Sequence, residues 1–230
     1  RHEVFYYLNL VTEIERVLTG RITLYQGKPQ PALEVSDDRR LSAHDKLIDS
    51  GVDRTRKTIA LAPGSTNSRA KRWLAESFAG LNDRLQKELN ANVILLGSPD
   101  EQEVSNAVIT AAKEKPIDLT GKTDLANAVA ILSEIDLLIS NDMGLAHIAP
   151  AVGTKTLTIF GPTDPTTTRP LSEHAEIITA NVECAPCMLR DCPIDHRCMT
   201  RISVDDVFQS ALMMLEDGQI HLRRRVAELK

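Results

Sequence analysis

From Thr58 onward, short apolar runs alternate with stretches of helical periodicity, and that alternation admits few architectures. The runs are Ile59 to Ala62, Val93 to Leu96, Ile117 to Leu119, Leu137 to Ser140, Thr156 to Phe160 and Glu176 to Thr179. Between them, Leu74 to Leu89 and Leu125 to Leu132 carry apolar residues at three-to-four spacing. Strands separated by helices have to pair in parallel, because each crossover carries the chain back to the starting edge, and right-handed crossovers then build an open sheet. The expected fold class is α/β: a parallel sheet of five or six strands with flanking helices.

Upstream the pattern differs. Val4, Leu8, Val11, Ile14 and Leu18 predict an amphipathic helix ended by Gly20. Gly27, Pro29 and Pro31, a short strand candidate at Leu33 to Val35 and the charged run Asp37 to Arg40 then read as a linker or domain edge. The expected division is 1–54 for the end of one domain with its linker, and 55–230 for the sheet domain. With 230 residues and 42% hydrophobic content the chain can bury one full core plus an appendage. It starts at Arg1, not Met, inside a helical pattern, so a fragment of a longer protein is expected.

A formal charge of -5 argues against non-specific nucleic-acid binding, which needs a net basic face. No run approaches the roughly 18 apolar residues of a membrane span, and the start lacks a signal-peptide layout, so a soluble, cytoplasmic protein is expected. The basic cluster His221 to Arg225 reads as a solvated helix face, with attraction to an anionic membrane surface as the alternative.

In a parallel sheet, ligands bind beyond the carboxyl ends of the strands, where loops lead into helix N-termini with free amides. The three connections richest in polar residues, Gly and Pro all follow strand candidates. The first holds Gly64, Ser65, Thr66 and Asn67, then Arg69, Lys71 and Arg72 before Trp73. Hydroxyls followed by cations suit a diphosphate, with Lys71 as a point charge; solvated bases on a surface loop are the alternative. The second, Ser140 to His147, contains Asn141 or Asp142 as a candidate helix cap, and Gly144 where a ligand can approach the backbone. A carboxylate there can hold sugar hydroxyls while the amides of Gly144 and Leu145 face phosphate, although a cap alone also explains Asp142, and a lone helical His147 is more often structural. In the third, Gly161 to Pro165, Thr163 and Asp164 either line the same cleft or make a plain turn. Neither a Gly-x-Gly-x-x-Gly fingerprint nor a Walker-type Gly-Lys-Ser/Thr occurs, which demotes dehydrogenases and nucleoside triphosphatases.

These three loops in this order resemble glycosyltransferase family 9, the bacterial ADP-heptose:lipopolysaccharide heptosyltransferases, and more closely the type that adds the second heptose. The resemblance runs from about Arg1 to Leu215. It is carried by Ala62-Pro63-Gly64 with Lys71-Arg72-Trp73, by Ser140-Asn141-Asp142-Met143-Gly144-Leu145-Ala146-His147, and by Phe160-Gly161-Pro162-Thr163-Asp164-Pro165. It implies a GT-B architecture, in which the C-terminal Rossmann-like domain binds the ADP-sugar and the N-terminal domain binds the lipopolysaccharide core acceptor. This chain would then be the donor half with a remnant of the other, Arg1 to Gly20 matching that domain's final helix.

By position, Lys71 would contact the diphosphate with Ser65 and Thr66 nearby, Glu101 the ribose and Thr123 the adenine. Asp142 would hold heptose hydroxyls, and Met143, Gly144 and Leu145 would offer backbone donors. His147 and Thr163 complete the expected donor-binding set, with Lys71 and Asp142 in the catalytic roles. Met143 departs from the Ser or Thr common there. The family inverts the anomeric centre and requires no metal or other cofactor beyond its ADP-heptose donor. Its base is an aspartate near the start of the N-terminal domain, to which nothing here corresponds, so donor binding without turnover is expected.

Cys184, Cys187, Cys192 and Cys198, with two, four and five residues between them and His196 inside, could wrap a structural zinc, pack as reduced thiols or form disulfides. Two rival functions are a stand-alone nucleotide-binding or zinc-stabilised interaction module, and a sugar-nucleotide epimerase with His147 as its one candidate acid/base residue.

Overall fold

The computed structural model describes residues 2–22, 29–66 and 68–216. Gly27, Asn67 and the basic cluster His221 to Arg225 lie outside the described residues.

Six strands form one parallel sheet: β1 (Thr58–Ala62), β2 (Asn92–Leu95), β3 (Ile117–Asp118), β4 (Leu137–Asn141), β5 (Lys155–Phe160) and β6 (Ala175–Thr179), in the spatial order β3-β2-β1-β4-β5-β6. This is the doubly wound Rossmann order, which reverses direction between β1 and β4. The crevice for a ligand opens there, and the first and second polar loops follow those two strands.

Alternation along the strands decides which helix packs where. Ile59 and Leu61, Leu137 and Ile139, Leu157 and Ile159 point to one face, where they meet α3 (Ala75–Leu89) through Phe78, Leu81 and Leu85, and α9 (Val204–Glu216) through Val207 and Phe208. Ala60, Ala62, Ile94 and Leu138 point to the other, under α2 (Asp37–Asp49), α5 (Leu125–Leu132) and α6 (Gly144–Ala151). Both faces are covered, so the central strands β1 and β4 are buried at every position and β5 at all but its first. The remaining helices are α1 (Glu3–Thr19), α4 (Gln102–Ala111), α7 (Pro165–Thr168) and α8 (Arg197–Thr200).

The segment before β1 departs from expectation. Leu33 to Val35 is not a strand; a backbone bond, Leu33 N–H to the Ala151 carbonyl at 2.8 Å, ties it to the sheet domain. The charged run from Asp37 is the first turn of α2, where the carboxylates of Asp37 and Asp38 meet the positive end of the helix dipole. Helix α2 buries Ala43 and Leu47 in the sheet domain's second core layer. Helix α1 forms as predicted but buries no residue, leaving Tyr6, Tyr7, Val11, Val17 and Leu18 exposed. Among the described residues no helix is long and apolar enough to cross a membrane.

Candidate active site

The three polar loops converge at the carboxyl edge of the sheet. Asp142 lies one residue past β4 with its side chain almost wholly buried, at 5% exposure. Lys71, from the single turn of 3-10 helix Arg69–Lys71, places Nζ 2.7 Å from Asp142 Oδ2. Thr163, from the third loop, donates its hydroxyl to the same oxygen at 2.8 Å. A carboxylate taken this far out of water has to be paired and hydrogen-bonded, and one cation and one hydroxyl do both.

Asn141 braces the arrangement. It is fully buried; Nδ2 donates to the carbonyls of Pro63 at 2.8 Å and Gly64 at 3.1 Å, while Oδ1 accepts the Trp73 N–H at 3.0 Å. The expected capping role is therefore not what Asn141 does, nor Asp142. The N-cap of α6 is Met143, with no side-chain capping bond. The first-turn amides of Gly144 and Leu145 stay free, as helix geometry requires, and a Cβ placed on Gly144 would meet nothing within 4 Å. Helix α6 begins two residues after Asp142, so the positive end of its dipole, roughly half a unit charge, follows closely on the residue that Lys71 pairs with.

Trp73 locks the first loop from behind: Nε1 donates to the Ile202 carbonyl at 3.0 Å and the ring packs edge-on against Phe78. Arg72 folds back to give Ser65 two hydrogen bonds at its carbonyl, of 3.2 and 3.0 Å. Ser65 is consequently buried, whereas Thr66 stands exposed.

Glu101 is only 2% exposed. Its Oε2 accepts from the Ser98 amide at 2.8 Å and the Ser98 hydroxyl at 3.1 Å, while Oε1 has no partner among the described residues and lies against Gly64, where an added Cβ would come within 2.0 Å of it. Thr123 sits partly buried in the turn after β3, between Gly121 and the N-cap Asp124 of α5. His147 lies in α6 with its side chain exposed; partial desolvation lowers its pKa, Asp142 pulls it upward, and His2 and Lys71 add to the lowering. Asp164 caps α7, accepting the Thr166 N–H at 2.8 Å.

The four cysteines are free thiols. Among the described residues no group of three or more ligand-type side chains is arranged to hold a metal ion, so the zinc set considered for Cys184, Cys187, Cys192 and Cys198 is not assembled and this geometry does not fit one. Cys198 is buried beside the other three, and burial first, then those neighbours, push its pKa up to about 11.

The family model for glycosyltransferase family 9 (heptosyltransferase) matches residues 1–197. The chain belongs to glycosyltransferase family 9. Lipooligosaccharide heptosyltransferase 2 of Campylobacter jejuni is 32% identical over 171 residues, which is 72% of this chain and 53% of that protein. The chain thus spans about half the length of the curated relatives it matches. Two solved structures share the fold. Escherichia coli ADP-heptose lps heptosyltransferase II has TM-score 0.71 at 26% identity, covering 84% of this chain and 55% of that one. The family 9 glycosyl transferase from Veillonella parvula has TM-score 0.75 at 25% identity, covering 94% and 60%. In this family member the three sequence motifs are the three loops that meet at Asp142.

Sequence reasoning missed the Asn141 brace and the contacts of residues 182–196 with the first and third loops. An Asn closing an otherwise largely apolar strand was the available signal for the first, because an amide placed there needs partners.

Proposed function

We propose that this chain is the donor-binding part of an inverting heptosyltransferase that moves heptose from ADP-heptose to the lipopolysaccharide inner core. The observation that carries the reading is the convergence of Lys71, Thr163 and the open start of α6 on Asp142. A diphosphate laid beside Asp142 meets the Lys71 ammonium and the amides of Gly144 and Leu145, with Ser65 and Thr66 at its flank and Met143 lining the approach. The carboxylate of Asp142 accepts from heptose hydroxyls. Glu101 supports the ribose assignment, since its unpartnered oxygen needs a donor and a ribose hydroxyl is one. Thr123, in the turn after β3, is the adenine contact, and His147 borders the sugar.

Chemically, the anomeric C–O bond to the β-phosphate breaks as the acceptor oxygen attacks from the opposite face. Negative charge grows on ADP, and Lys71 with the helix amides stabilises it. The acceptor hydroxyl has to lose its proton to a base supplied by the acceptor-binding domain, so the sheet domain, to which α2 belongs by its packing, binds the donor, and the domain to which α1 belongs brings the acceptor. This work belongs on the cytoplasmic side, at the inner face of the inner membrane where the lipid-linked acceptor is met, with no nucleic-acid partner. Lys71 supplies the charge the leaving group needs, so no metal is assigned a step.

Calorimetry with ADP and ADP-heptose tests the reading. The expected result is binding of both, weakened at least about tenfold by Lys71→Ala. Absence of binding by the unmodified protein, or indifference to Lys71→Ala, overturns it.

A further inference from the structure

Residues 182–196, in the cysteine-bearing connection between β6 and α8, lie across the back of the first and third loops. The Pro162 carbonyl accepts two of its amides, Cys187 at 2.9 Å and Met188 at 2.8 Å. The Arg190 carbonyl accepts the Ala70 N–H at 2.9 Å and the Ser68 hydroxyl at 3.1 Å. From the far end of the segment, His196 Nε2 stands 2.6 Å from the Ala70 carbonyl, while the His196 amide donates to Cys192 Sγ at 3.3 Å. Buried Ala70 thus has both of its backbone polar groups held by this strap, one residue before Lys71. Pro162 precedes Thr163 in the same way.

The contacts close a ring. At the front, Lys71 and Thr163 meet on Asp142; at the back, the peptide groups beside them meet on the strap. Two of the strap's contact residues pay a conformational cost to be there: Met188 and His196 are non-glycine residues at φ 59° and 58°, in the left-handed region. Such conformations persist where surrounding contacts over-determine them. Gly161 adds a close approach, since a Cβ there would come within 2.9 Å of the Met199 side chain, just past the strap.

We infer that this strap sets the spacing of Lys71 and Thr163 at the donor diphosphate, with His196 as its positioning residue, so that the strap's thiols are coupled to nucleotide binding. Its functional consequence rests on the donor-site reading above; its geometry does not. A shift of the 3-10 turn moves Lys71 relative to a phosphate whose attraction depends on close approach, so the His196–Ala70 bond acts on affinity without touching the ligand. Coupling of this kind is reciprocal: nucleotide that fixes Lys71 also fixes the strap.

The test compares the unmodified protein with His196→Ala and His196→Gln, whose amide can replace the ring N–H. Trp73, the chain's single tryptophan, is two residues from Lys71 and reports the loop without nucleotide through acrylamide quenching. His196→Ala is expected to weaken ADP binding about tenfold and to increase Trp73 quenching, and His196→Gln to restore both. Binding within about twofold of the unmodified protein, with unchanged Trp73 quenching, overturns the inference. If the unmodified protein binds no ADP but His196→Ala still exposes Trp73, the strap's positioning role stands and the donor reading fails. Should His196→Ala not fold, alkylation of exposed Cys187 and half-buried Cys192 decides: saturating ADP slowing it several-fold supports the coupling, and an unchanged rate overturns it.

Discussion

Lys71 Nζ sits 2.7 Å from Asp142 Oδ2 while its own side chain keeps 27% exposure against 5% for its partner. The pair is therefore lopsided: the carboxylate is sealed in and the ammonium retains an open side through which a phosphate can reach it. At an effective dielectric near 20, a unit charge pair at about 4 Å is worth on the order of 4 kcal/mol. Exposed ion pairs are worth roughly 0.2 to 1 kcal/mol. Lys71→Met is expected to weaken ADP binding by more than about tenfold and, because it strands a buried carboxylate, to lower stability by about 1–3 kcal/mol after allowance for the exposed side. Calorimetry and thermal denaturation check the two parts.

Asp142→Asn should separate the two roles. It removes the charge that competes with phosphate for Lys71, yet an amide still accepts from Thr163. ADP itself is expected to bind as well as before or better, whereas the preference for ADP-heptose over ADP drops, since the carboxylate proposed to receive sugar hydroxyls is gone. Equal loss for both ligands means Asp142 serves the phosphate site and not the sugar.

Asn141 is a stability prediction. Alanine there leaves the Pro63 and Gly64 carbonyls and the Trp73 amide without partners in a dry environment. Each buried unsatisfied group costs about 1–3 kcal/mol, and partial relaxation of the loops brings the expected total to roughly 2–4 kcal/mol. At about 2–4 °C per kcal/mol for a domain of this size, the melting temperature should fall by roughly 4–16 °C. Asn141→Asp is expected to cost as much, because a carboxylate cannot donate to two carbonyls; a harmless aspartate here contradicts the bonding assigned.

Much of this was legible in the sequence, for a physical reason. Strands covered on both faces read as unbroken apolar runs, so Ile59 to Ala62 and Leu137 to Ser140 announced themselves, and the rule that ligands gather at the carboxyl edge then picked out the loops holding Lys71, Asp142 and Thr163. What stayed hidden depends on tertiary contact. Helix α2 carries so many charges that its buried pair, Ala43 and Leu47, is drowned in a polar stretch, although Ser36 before two aspartates was a usable start signal. The brace by Asn141 and the reach of His196 to Ala70 span 78 and 126 positions, distances at which no local pattern speaks.

Gly64 and Glu101 make a steric prediction. A Cβ at Gly64 would lie 2.0 Å from Oε1 and 2.2 Å from Cδ of a carboxylate that is itself buried and anchored to Ser98. Gly64→Ala must therefore push Glu101 out of place. It is expected to destabilise the fold by about 1–3 kcal/mol and to weaken adenosine-containing ligands. Combining it with Glu101→Ala removes the clash, so the two costs should be strongly non-additive, by at least about 1 kcal/mol in a double-mutant cycle of denaturation midpoints. Additive costs mean the carboxylate does not occupy the space beneath Gly64.

Cys198 gives the pH dependence. Burial, followed by the neighbouring Cys184, Cys192 and Cys187, lifts its pKa to about 11, whereas a thiol in the unfolded chain titrates near 8.5. Between those values the unfolded chain has released a proton that the folded chain still holds, so stability is undiminished below about pH 8.5 and declines as pH climbs toward 11. Cys198→Ala removes this contribution to the alkaline slope, at the cost of a small cavity in the core it shares with Met199 and Phe208. At pH 8 the same shift keeps Cys198 almost entirely protonated, and therefore the slowest of the four thiols to alkylate in the folded protein, the difference vanishing in denaturant. Mass mapping of labelled peptides over time reads that order, and Cys198 reacting as fast as exposed Cys187 would show that it is not buried among its neighbours.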